Sequence, residues 1–285
     1  TPVAVPPAIA HGYSKALKQA HNGEPGAARV LYQQLARPDL SDERRAALHA
    51  ELPNYPSPQA LKLADKDLAN ESPRVREAAI RSIVGLVPTG QRTLLLGPLL
   101  EDAEQSVRFA AANALLGLSP DTLGLYFGPL QQVLDEFVKT LKAQPETAES
   151  WIQLARLYIH SALLPEAQNA LEQAMRLQPD NLQAVVAQIE LLDKQGKTDE
   201  SRQLLARQLA PHPESAYLQH ALGMWLLHHG ERPYALLGLS KAVELEPDNQ
   251  DYRYDLATTL HAQQELEAAQ RQLEEIIQRH PANRK

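Results

Sequence analysis

The chain has 285 residues, 44% apolar and 22% charged, with no cysteine; it carries the apolar material for a buried core, and disulfide scaffolds, Cys-ligated metal proteins and thiol enzymes are excluded. Its formal charge is −7, with 15 basic and 15 acidic residues before residue 145 and 13 basic against 20 acidic from there on. No cluster of Lys and Arg supplies the basic stripe that phosphate backbones require, so nucleic acid is not an expected partner.

The opening ten residues, TPVAVPPAIA, lack a basic leader, and no run approaches the ~20 apolar residues of a membrane-spanning helix. Direct membrane insertion is therefore not expected, and a chain that opens on Thr1 rather than Met reads as a processed product or a piece of a longer one. The break at Asn22-Gly23-Glu24-Pro25 splits residues 8–36 into a helical pair, which fills a first region, 1–40.

Region 41–118 repeats with an offset of 32 residues. Arg44-Arg45-Ala46-Ala47-Leu48 overlays Arg76-Glu77-Ala78-Ala79-Ile80 and Arg108-Phe109-Ala110-Ala111-Ala112, and Leu68, Val75 and Ile83 pair with Leu100, Val107 and Leu115. Breaks at Pro53 to Pro58, Pro88-Thr89-Gly90, Ser119-Pro120 and Gly128-Pro129 predict helices of about 10–15 residues joined by short turns. The segments Asn70-Glu71-Ser72-Pro73-Arg74-Val75-Arg76 and Asp102-Ala103-Glu104-Gln105-Ser106-Val107-Arg108 resemble the HEAT family of paired helices, in which Asp or Asn precedes a Val-Arg pair and an Ala-rich helix comes next.

A connecting region, 119–144, holds a helix near 130–143 that is expected to cap the array beginning at residue 145. From 145 to 285, Pro145, Pro179, Pro213, Pro247 and Pro281 stand 34 residues apart, the mark of a solenoid. The first unit carries Trp151, Leu154, Ala155, Tyr158, Ala167, Leu171 and Ala174; the third carries Leu222, Gly223, Leu226, Ala235, Leu239 and Ala242; the fourth carries Leu256, Ala257, Leu260, Ala269, Leu273 and Ile276. These positions resemble the tetratricopeptide repeat family, and Ala155, Gly223 and Ala257 share the slot where two helices approach closely. The second unit departs, with Gln188 and Ile189 where Leu and a small residue belong and Ser201 and Gln208 where Ala does, so looser or shifted packing is expected there. Nothing alternates with period two. The predicted fold is an all-α superhelix, a solenoid of HEAT-like repeats followed by four tetratricopeptide units, and the two arrays are expected to run on as one rod.

No phosphate-binding glycine loop, HExxH, GxSxG or CxxCH occurs, so neither an enzyme nor a cofactor is expected in this chain, and haem only in a segment upstream of it. His228 and His229, adjacent on a helix, do not face one site, and no metal centre is expected. Trp151 and Trp225 read as core. The tetratricopeptide resemblance implies a concave surface at set positions of each first helix: Glu149, Ile152, Arg156, Ile159 and His160; Gln183, Val186, Glu190, Asp193 and Lys194; Tyr217, His220, Met224, Leu227 and His228; Asp251, Tyr254, Thr258, His261 and Ala262. Arg156, His160, Tyr217, His220, Met224, His228, Tyr254 and His261 make this an aromatic, donor-rich groove suited to a protein partner, held as an extended peptide or a helix. The carboxylate clamp of chaperone-binding members is not reproduced, since Ile152 and Val186 stand at one of its positions.

The run from Ala20 to Ile83, the second HEAT-like unit at 94–118 and the later array, in that order, resemble the C-terminal region of large bacterial multihaem cytochrome c proteins. That resemblance implies an extracytoplasmic, periplasmic scaffold without haem of its own, docking a partner for electron transfer. The alternative from a different class is an assembly or regulatory adaptor for a membrane or secretion complex with no redox role.

Overall fold

Helix starts in this chain are set by short hydroxyl and amide side chains that accept hydrogen bonds from otherwise unpaired N–H groups. Ser41, Ser57, Ser72 and Ser119 do this in the first half; Thr147, Asn181, Ser215 and Asn249 do it in the second, 34 residues apart and each two residues after one of the periodic prolines. The computed structural model describes residues 7–262 and, beyond them, 274, 275 and 278; the side chains of 7–11, 89, 250, 254, 257, 258, 261 and 262 fall outside the description. The fold is an all-α superhelix of paired helices, and no strand occurs among the described residues. The chain divides into two compact units, with the boundary between Lys139 and Thr140.

The first unit opens with helices α1 (Pro7–Asn22) and α2 (Ala27–Leu35), the expected pair, turned at Gly23 and Gly26 in the left-handed region. Helices α3 (Asp42–Glu51), α4 (Pro58–Asp67) and α5 (Pro73–Leu86) come next, then a single turn, α6 (Thr93–Leu96), then α7 (Gln105–Leu115). The 32-residue period is visible in hydrogen bonds. Arg76 Nη1 donates to the carbonyls of Asn70 and Glu71, and Arg108 Nη1 to those of Asp102 and Ala103; Asn70 and Asp102 in turn accept from the backbone N–H two residues on. Arg76 also pairs with both oxygens of Asp102 at 2.9 Å. Arg44, the matching residue of the earlier copy, instead lies over the Tyr13 ring, and its neighbour Arg45 turns inward. The expected helix across Leu94–Leu100 is broken: α6 passes into a 3-10 segment, Gly97–Glu101, because Pro98 has no N–H to donate and Gly97 lies against the Tyr126 ring. Another one-turn helix, α8 (Pro120–Leu123), precedes α9 (Phe127–Ala143), whose Phe137 stacks on Phe109 with ring centres 4.4 Å apart.

Charge is buried in this unit. Arg45, His49 and Asp67 are all less than 10% exposed; His49 Nε2 lies 2.6 Å from Asp67 Oδ2, and Arg45 Nη1 lies 3.3 Å from the same oxygen and donates to Leu35 O at 2.7 Å. Burial pushes the Asp67 carboxyl up, but the His49 hydrogen bond and the charges of His49 and Arg45 outweigh it and hold the carboxyl below its usual range. Nearby, the fully buried Tyr55 donates to Ala20 O at 2.5 Å, and burial raises its phenol to about 12.

The second unit is made of α10 (Ala148–His160) and α11 (Leu164–Leu177), α12 (Leu182–Lys194) and α13 (Thr198–Leu209), α14 (Ala216–His228) and α15 (Arg232–Leu245), and α16 (Gln250–Ala262). The fourth pair's second helix, with Ala269, Leu273 and Ile276, lies outside the described residues. Each of α10, α12 and α14 ends in the same two backbone bonds, from Leu163, Lys197 and Glu231 to the carbonyls five residues back and from Ala162, Gly196 and Gly230 to those three back. Those last three residues have φ of 59°, 78° and 76°, so a left-handed turn recurs every 34 residues, with Ala in the first copy where the others have Gly.

Ala155 is fully buried and Gly223 meets Gly238 so closely that a methyl added at 238 would stand 2.9 Å from the Gly223 nitrogen. Helices α12 and α13 stay close over less of their length than the pairs on either side, as Ile189 in the small-residue slot requires. Ser201 is not a weak point, however. It is fully buried, donates to Thr198 O at 2.8 Å, stands 3.2 Å from Asp193, and accepts the Trp225 indole N–H at 3.0 Å. Ser in place of Ala gives Trp225 an acceptor as it packs, half-buried, on Val185, Ile189 and Leu205.

Candidate functional site

Position two of each first helix brings Glu149, Gln183 and Tyr217 to one surface. With Ile152, the cap residues Thr147 and Asn181, Ala148, Gln178 and Leu182, they line an open cleft of about 640 Å³. The groove thus begins across the first three repeats.

Deeper along the same faces stand Arg156 and His160 on α10 and Glu190 and Lys194 on α12. Arg156 Nη2 donates to the Tyr217 hydroxyl at 3.4 Å, linking the first repeat to the third. Glu190 and His160 are open to water, yet the concave surface surrounds both with protein. This desolvation is the main reason the Glu190 carboxyl sits above its usual range, against the pull of Arg156 and Lys194. It also holds the His160 imidazole below its usual range, helped by the charges of Lys194 and Arg156.

The structure therefore brings Arg156, His160 and Tyr217 together and adds Glu190 and Lys194, whose groove positions are set by the repeat but whose charges do not stand out beside its aromatic and His-rich faces. The remaining expected residues divide. His220 is engaged in the stacking of the repeats: Nε2 is 2.8 Å from Asp255 Oδ2, and the ring stacks on Tyr252 at 4.7 Å. Met224 is exposed, and so is His228, which meets the His229 ring edge-on at 5.5 Å. His229, beyond the helix end, reaches both oxygens of Asp193 at 2.8 Å and packs on Trp225, so the two adjacent histidines serve different surroundings. The side chains of Tyr254 and His261 lie outside the described residues. No group of three or more His, Asp or Glu side chains placed to hold a metal occurs among the described residues, and no described helix is long and apolar enough to cross a membrane.

Fold and groove together define a helical-repeat protein with an open concave face. The tetratricopeptide repeat family model matches residues 163–224, within the second unit. Among curated proteins, the chain is similar to the uncharacterized protein y4yS of Sinorhizobium fredii (strain NBRC 101917 / NGR234), 29% identical over 101 residues that span 35% of this chain and 56% of that one, so the match covers about half of that relative's length. Among solved structures it is similar to MamA from Desulfovibrio magneticus RS-1, residues 41 to the end, at 15% identity and a TM-score of 0.38, covering 70% of this chain and 100% of that one. It is also similar to YrrB, described as a tetratricopeptide repeat protein with an unusual peptide-binding site, at 19% identity and a TM-score of 0.35, covering 65% of this chain and 92% of that one.

Proposed function

We propose that this chain is a non-enzymatic scaffold that binds a segment of a partner protein in the concave groove of its second unit. One observation carries the reading: equivalent positions of three successive repeats, Glu149, Gln183 and Tyr217, line a single open cleft, which is how a repeat array presents an extended surface to a chain laid across it. A photo-reactive residue placed at Gln183 should crosslink a partner protein, while the same residue at Tyr234, 61% exposed on α15 and outside the cleft lining, should not. Equal crosslinking from both positions, or from Tyr234 alone, removes the groove as the binding face.

The 32-residue unit supports a second reading, that residues 41–118 are HEAT-type repeats, since Arg76 and Arg108 repeat the same backbone bonds at that offset. The order of the two arrays further supports an extracytoplasmic setting in which a haem-bearing segment upstream is placed beside its redox partner. Staining the crosslinked partner for covalent haem separates this from an assembly adaptor: a haem-positive band is expected for electron transfer, a haem-negative one for assembly.

A further inference from the structure

Ionic side chains of the second unit are mostly paired even where they face solvent. Arg176 meets Glu146 at 3.6 Å, Arg202 meets Asp199 at 3.0 Å and Lys241 meets Glu244 at 3.5 Å. In the groove the pattern changes: Arg156, His160, Glu190 and Lys194 have no ion-pair partner within 4.0 Å among the described residues, although they lie within electrostatic reach of one another. Asp193, the acidic neighbour of Lys194, is already engaged with Ser201 and His229. The Arg156 contact to Tyr217 takes one guanidinium N–H of five, leaving the fork free for a carboxylate.

The local balance is two permanent cations against one carboxylate whose surroundings oppose its charge, within a stretch of chain where acidic residues outnumber basic ones by 20 to 13. A basic ligand would enter beside two uncompensated cations. An acidic one would give each of them its missing partner in a site shielded from bulk water, where charge-assisted hydrogen bonds are strongest.

We infer that the groove takes an acidic segment of its partner, with Asp or Glu carboxylates docking between Arg156 of α10 and Lys194 of α12. The inference rests on the groove being the binding face. Glu190 is then the element that limits affinity, a fixed carboxylate competing for the same two cations.

Short fluorescein-labelled peptides rich in Glu, with Gln and Lys counterparts, test this on the full chain by fluorescence anisotropy. The Glu peptide should bind at least about tenfold more tightly than the Gln peptide and weaken as salt is raised. Arg156→Gln with Lys194→Gln should cost about tenfold, whereas Glu190→Gln should tighten binding severalfold. These are water-accessible positions, and far-UV circular dichroism checks that the helices persist. Preference for the Lys peptide, weaker Glu-peptide binding in Glu190→Gln, or no binding of the Glu peptide overturns the inference. Equal binding of Glu and Gln peptides that Gln183→Trp abolishes by filling the cleft overturns the acidic preference and keeps the groove. Peptide binding indifferent to Gln183→Trp removes the groove itself.

Discussion

The two units use charge in opposite ways. In the first, Arg45, His49 and Asp67 are buried together and Arg76 grips Asp102 across successive repeats, so ionic groups act as struts between helices. In the second, the helices are held by small-residue contacts such as Gly223 on Gly238, and the groove's Arg156, Glu190 and Lys194 are left without close partners. A charge built into packing is costly to disturb, because its partner then stays desolvated and alone. A charge left on a concave face is cheap to remove from the fold and matters to whatever binds there.

The sharpest way to break this contrast is Asp67→Ala. It strands the buried Arg45 guanidinium, 8% exposed at its side chain, and deprives His49 of its 2.6 Å partner. Urea unfolding should show a loss of about 3–5 kcal/mol, while Glu190→Gln in the groove should change stability by no more than about 0.5 kcal/mol. Comparable losses from both would mean that the groove charges are structural too. Next in size is overpacking of the second unit. Gly238→Ala drives a methyl against the Gly223 nitrogen at 2.9 Å and the Gln219 carbonyl oxygen at 3.0 Å, all of it backbone that has no rotamer to yield. A cost of about 1–3 kcal/mol is expected, and the similar slot at Ala155 should respond to Ala155→Leu in the same range. A neutral Gly238→Ala in thermal unfolding would show that α14 and α15 can separate freely.

How much of this was legible in the sequence depends on which features repeat. The 34-residue prolines mark helix caps at Thr147, Asn181, Ser215 and Asn249, and the structure places a cap at each. The 32-residue Arg and Asn/Asp positions reappear as matched hydrogen bonds at Arg76 and Arg108. Periodicity carries such features because every copy solves the same local problem. Ser201 was misleading for the opposite reason: a departure from the pattern reads as weaker packing until its partner, Trp225, is seen 24 residues away in the next repeat. His220 likewise occupies a groove position by count, but its pairing with Asp255 and stacking on Tyr252 depend on a neighbouring helix. The unpaired state of Arg156 and Lys194 is a fact of three dimensions, with no signature in spacing.

A smaller effect sharpens the comparison between repeats of the second unit. Ala162 holds φ at 59°, in the region where Gly196 and Gly230 serve the same turn without strain. A left-handed L-residue costs roughly 1–2 kcal/mol, and part of that relief is lost to the greater freedom of Gly in the unfolded chain. Ala162→Gly should therefore raise stability by about 0.5–1 kcal/mol, whereas Gly230→Ala should lower it by about 1 kcal/mol, both read from thermal midpoints. A destabilised Ala162→Gly would mean that the first repeat does not share the turn.

The smallest expected change is in titration. His160 is held below the usual 6.5 by desolvation, then by Lys194 and Arg156. The folded chain therefore prefers the neutral imidazole, and the stability this group contributes is complete above pH 6.5 and lost as pH falls through the depressed folded value. Glu190 has the opposite sign: its carboxyl is raised above the usual 4.5, so its contribution is complete below pH 4.5 and lost as pH rises through the folded value. In proton NMR the His160 midpoint should lie below 6.5 and move upward in Lys194→Gln, and it should stay in place in Arg76→Gln, which belongs to the other unit. A midpoint that ignores Lys194 would separate the cations from His160 and leave the groove without the shared positive field on which an acidic ligand depends.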